Sequence, residues 1–92
     1  AHVFLGEIAF QQGNCAAALG HYARAGDRVR SRPDWLLHQA TCLLDTGDRA
    51  AAAALFEALP EAEGDARFAA GVALGRAGAH LEAARFFRSA RL

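Results

Sequence analysis

Slid along itself, this chain matches its own pattern twice. A shift of 34 residues carries Gly13-Asn14 onto Gly47-Asp48, Ala18 onto Ala52 and Tyr22 onto Phe56. A further 31 reaches Gly78-Ala79, Ala83 and Phe87. Upstream of each Gly, the positions Gly6, Ala40 and Gly71 coincide, as do Ile8, Cys42 and Ala73. The unit reads small-x6-Gly-x4-Ala-x3-aromatic and occurs three times. Copies in such register bury their apolar sides by stacking on each other.

Each unit predicts two helices joined by a turn. The segment before the turn is apolar at helical spacing, as in Leu36, Leu37, Ala40, Cys42, Leu43 and Leu44. The Gly then admits the left-handed backbone that ends a helix. Asn14 and Asp48 follow as N-caps, whereas Ala79 in the third unit offers no capping side chain. Ala18, Ala52 and Ala83 let two helices approach, and the aromatic one turn later fills the wedge. Helices are expected near 2–12, 15–28, 34–46, 49–59, 65–77 and 80–91, with Asp34 capping the third and Pro60 closing the fourth. Composition agrees: 24 of 92 residues are Ala, the strongest helix former, and β-branched residues are sparse. One domain, 1–92, with units of about 1–33, 34–64 and 65–92, follows.

These residues resemble the tetratricopeptide repeat. Leu5-Gly6 matches the first-helix pattern of that family, with His2 and Ala9 where large aromatics are usual. The second helices match more closely, in Ala18-x3-Tyr22-x2-Ala25, Ala52-x3-Phe56 and Ala83-x3-Phe87-x2-Ala90. Pro33 arrives late and Pro60 early relative to the family spacing. The resemblance implies an all-α fold, a right-handed α–α superhelix (solenoid) of three helix–turn–helix units with six helices. It also implies a protein–protein interaction scaffold, in which the first helices line a concave groove that binds a peptide or helix. By resemblance, the groove positions are Val3, Glu7, Phe10, Gln11, Leu37, Thr41, Leu44, Asp45, Phe68, Val72, Gly75 and Arg76. Phe10, Leu44 and Phe68 would be its apolar anchors, and packing between helices is the competing role for several of these residues. The carboxylate clamp of some relatives is not expected, because the matching places hold Val3, Glu7, Thr41, Asp65 and Ala69. Alternative roles are a structural or oligomerisation spacer, or a regulatory arm of a larger multidomain protein.

Nothing in the local pattern predicts catalysis. Ser31 and Ser89 have no His and carboxylate at a spacing that would build an activated nucleophile. The acids read as caps and solvated loop charges. His2, His21, His38 and His80 are spread along the chain without metal-ligand spacing, so no metal and no cofactor is expected. Cys15 and Cys42 read as two small buried hydrophobes. Antiparallel neighbours put both near one end of the stack, so a disulfide is geometrically open if their α-carbons come within ~7 Å.

Ten Arg balance ten acids and Lys is absent, which gives no overall pull toward nucleic acid. No apolar run reaches the length of a membrane span, and no secretion signal is visible. Charge is nonetheless uneven: +2 over residues 1–33, −5 over 34–64 and +3 over 65–92. Arg85, Arg88 and Arg91 recur at i, i+3, i+6, either as solvated charges or as a basic stripe for an acidic neighbour. The last helix carries Leu81, Phe86, Phe87 and Leu92, more apolar surface than one neighbour covers. Without an initiator Met, the chain is expected to be a piece of a longer array, with self-association through the uncapped last helix where the array is cut.

Overall fold

The computed structural model describes residues 2–60 and 62–90. Among them are six α-helices and no strand: α1 His2–Gln11, α2 Cys15–Ala25, α3 Pro33–Asp45, α4 Arg49–Glu57, α5 Gly64–Arg76 and α6 His80–Ser89. The helices pair as α1/α2, α3/α4 and α5/α6, and the first helices α1, α3 and α5 lie side by side.

The three turns are built alike. Gly13, Gly47 and Gly78 adopt φ of 76°, 94° and 85°. Beyond each, an amide reaches back to close the preceding helix: Asn14 N donates to Ala9 O at 2.9 Å, Asp48 N to Leu43 O at 2.8 Å and Ala79 N to Leu74 O at 2.9 Å. Asn14 Oδ1 then accepts from Ala17 N and Asp48 Oδ1 from Ala51 N, while α6 starts without a side-chain cap.

Two connections differ from expectation. The second helix stops at Ala25, because Gly26 takes φ 62°, and a 3-10 helix over Gly26–Ser31 carries the chain onward with Val29 buried. Asp34 does not cap the third helix. Pro33 occupies the first turn, where its missing N–H costs nothing, and the extended Arg32 precedes it.

The wedge expected from the repeat is present with one change. Ala18 and Ala52 are fully buried, and so are Tyr22 and Phe56. In the third unit Phe86, not Phe87, is the buried ring; it meets Phe56 edge-on at 6.0 Å. Phe87 is 42 % exposed. Adjacent residues point about 100° apart on a helix, so only one of them faces the inner seam. Phe87 still keeps the repeat's contact. Its ring lies on Gly71 as the ring of Tyr22 lies on Gly6, each so close that a Cβ would sit 2.7 Å from the ring's Cε1.

The buried residues form two clusters. The smaller joins Val3, Ala9, Ala18, Tyr22, Val29 and Cys42. The larger runs through the second and third units, from Leu36 and Ala40 through Phe56 and Leu74 to Phe86. Cys15 and Cys42 do more than fill space. They are joined by a disulfide with α-carbons 5.0 Å apart, which ties the start of α2 to the last turns of α3. The stacking of α2 against α3 of the next hairpin brings them together, as the expected placement of both cysteines near one end of the stack allowed.

Candidate interaction groove

The side of the stack lined by α1, α3 and α5 carries most of the expected groove residues, in unequal states of exposure. Val3 is the clearest departure: it is 2 % exposed and belongs to the first core cluster, so it offers no surface to a partner. Its neighbours on α1 face other helices or solvent because successive residues are offset around the helix. Leu37 and Leu44 are half-buried and lean on the second core cluster. Val72 and Gly75 are half-buried, whereas Gln11, Asp45 and Arg76 are exposed. Phe68 is 45 % exposed, and its ring stands 5.3 Å from that of Phe87.

Glu7 serves as an internal acceptor. Its carboxylate accepts from the Tyr22 hydroxyl at 3.0 Å and lies 2.7 Å from His38 Nδ1, joining α1, α2 and α3. Burial, followed by the hydrogen bond and charge of Glu7, pushes the Tyr22 phenol above its usual range. His38 in turn stacks on Phe10 at 4.2 Å with the ring planes 17° apart. His38 is not among the expected groove residues. Its place one turn before Thr41 on α3 was the available signal. The exposed Phe4, Leu5 and Ile8 on α1 were also missed as a surface, although their spacing puts them on one side of the helix.

Thr41, Leu44, Asp45, Ala73, Arg76 and Ala77 line an open cleft of about 370 Å³ between α3 and α5. Four of these are among the expected groove residues. The Thr41 hydroxyl donates to Leu37 O at 2.8 Å, so its oxygen is left to accept. Asp45 and Arg76 stand on opposite helices, and neither is in an ion pair among the described residues. Arg49 donates to the Ala77 carbonyl and closes the end of α5. A second cleft, at the other end of the same two helices, is lined by Arg32, Asp34, Leu37, Glu63 and Asp65.

Ser31 and Ser89 both hydrogen-bond to backbone carbonyls of their own turns, and the two thiols are tied to each other. Among the described residues no three His, Cys, Asp or Glu side chains converge as metal ligands. No helix there is long and apolar enough to cross a membrane.

The paired helices, the repeated turn and the small-residue seats for Tyr22 and Phe87 have a counterpart among known families. The model of the tetratricopeptide repeat matches residues 9–75, well over half of the chain. The chain belongs to the tetratricopeptide repeat family. No curated protein and no solved structure matches it. Tetratricopeptide repeats generally mediate protein–protein interaction, usually with protein or peptide partners, and are typically non-enzymatic scaffolds.

Proposed function

We propose that this tetratricopeptide array is a non-catalytic interaction module that holds a peptide or helix in the groove between α3 and α5. The observation that carries the reading is the cleft in which Leu44 supplies an apolar floor while Thr41, Asp45 and Arg76 stand around it. Leu44 and Leu37 present apolar surface, and each Å² removed from water is worth about 25 cal/mol. Opposed charges on the two walls fix the direction of a bound backbone more than they add affinity. Phe10 stacks on His38 of α3 and packs against the first core cluster. The units 1–33, 34–64 and 65–92 serve as one piece of a longer array in this reading.

A random peptide library panned against the folded chain tests it. Selected peptides should lose at least tenfold in affinity on Arg76→Glu and on Asp45→Arg, with helicity unchanged. Peptides that bind both variants as well as the parent would remove the groove from the account.

A second reading, a spacer that assembles through its ends, is favoured by the exposed apolar residues there: Phe4, Leu5 and Ile8 on α1, and Leu81, Phe68 and Phe87 near the other end. Leu92, expected to add to that surface, lies outside the described residues, and Phe86 is buried and takes no part. Sedimentation of the parent beside Leu81→Glu separates the two readings. A concentration-dependent dimer that the substitution abolishes, with no peptide selected, supports the spacer.

A further inference from the structure

Arg67 is a buried cation at the start of α5, only 8 % exposed. It is held rigidly. Its Nε donates to Ser89 Oγ at 2.8 Å, its Nη1 donates to Leu59 O at 2.6 Å, and its guanidinium stands 4.8 Å over the Phe86 ring. The single proton of the Ser89 hydroxyl goes to Phe86 O, so Ser89 meets Arg67 only as an acceptor. Nη2 makes no hydrogen bond among the described residues, and no carboxylate there pairs with Arg67. Its neutral partners hold the guanidinium in place but leave its charge without a counter-ion, and its remaining nitrogen is free to meet a ligand from the cleft.

This group borders a cleft of about 420 Å³ whose other walls are Glu57, Arg85, Phe86, Arg88 and Ser89. Arg85 donates to Glu57 at 2.9 Å in an exposed pair, while Arg88 is exposed and unpaired among the described residues. Three arginines and one carboxylate thus line a space large enough for a small anion, with Arg85 already bonded to Glu57. Two of the three are the expected basic stripe on α6; Arg91, its third member, lies outside the described residues.

From these positions we propose that the cleft between α5 and α6 is an oxyanion site that takes a phosphate or carboxylate group. Planar guanidinium forks suit such groups, and charge-assisted bonds to them are about twice as strong as neutral ones. Arg67 is already oriented by Ser89 and Leu59, so binding orders little more than Arg88. Glu57 opposes the ligand and sets the affinity. The site shares no lining residue with the groove between α3 and α5, so it stands whether or not that groove binds a peptide.

The test follows the arginine Nε–H resonances of the ¹⁵N-labelled chain at about 0.15 M salt, where diffuse attraction is screened. One series adds inorganic phosphate, and a parallel one adds a hexaglutamate peptide. Saturable shifts at Arg67 and Arg88 are expected, weakened about tenfold by Arg88→Ala and strengthened severalfold by Glu57→Gln. Helicity by circular dichroism should stay constant throughout. Saturation by phosphate alone identifies a free-ion site, and tighter binding of the peptide identifies an acidic segment as the occupant. No shift at either arginine with either probe overturns the proposal. So does an equal loss on Arg24→Ala, a distant exposed arginine, because that marks attraction to net charge only.

Discussion

The ring of Tyr22 rests directly on Gly6, with no room between them for a methyl group. Tyr22 is fully buried and tied to Glu7, so it has nowhere to withdraw. Gly6→Ala should therefore cost about 1–3 kcal/mol from overpacking, despite the helix propensity gained. Gly71 meets Phe87 at the same distance, but that ring borders solvent and can swing outward. Gly71→Ala should be close to neutral. Urea unfolding of the two variants checks the contrast.

Reduction of the bond between Cys15 and Cys42 frees a loop of 27 residues' separation in the unfolded chain. By loop-closure entropy, stability should fall by about 2–4 kcal/mol. Cys42 is fully buried and Cys15 only half-buried, so alkylation after brief reduction should mark Cys15 first. Urea midpoints with and without reductant, and mass mapping of the alkylated thiols, report the two effects.

Alkaline pH should unfold the chain through Tyr22. The phenol titrates near ~10 when unfolded. The folded group titrates higher, chiefly because burial disfavours its anion. Its contribution is intact below the unfolded value and shrinks above it by about 1.4 kcal/mol per pH unit, until the folded phenol ionises too. Tyr22→Phe should lose about 1 kcal/mol at neutral pH and flatten this alkaline decline. Stability curves at pH 9 and 11 provide the comparison.

Loss of either N-cap should be modest and similar. Asn14→Ala and Asp48→Ala each remove one side-chain bond to a helix amide and should cost about 1 kcal/mol. Ala79→Asp should destabilise even though it supplies the missing cap, because Ala79 is buried in the larger core cluster. Thermal melts of the three variants test this.

What could be read beforehand was whatever recurs. The turn glycines, the two caps and the buried Tyr22 and Phe56 all stood at matched places, and each has a local cause. Choices between neighbours were harder. Phe86 and Phe87 are chemically identical, and only the packing of α6 against Phe56 decides which is buried. Val3 differs from a groove residue by a fraction of a turn. Gly26 stands inside an apolar-periodic stretch that Val29 continues, so its positive φ was invisible until the chain turned there. The Glu7–His38 contact spans two units with no sign along the chain, whereas the expected stacking already put Cys15 and Cys42 at one end and left their bond open.

The covalent link sits at the thinner of the two cores, where the first hairpin meets the second. The second and third hairpins share the broader core and no such link. Oxidised, the first two hairpins cannot separate; reduced, only their packing holds them together, so the redox state of the surroundings should act on this junction first.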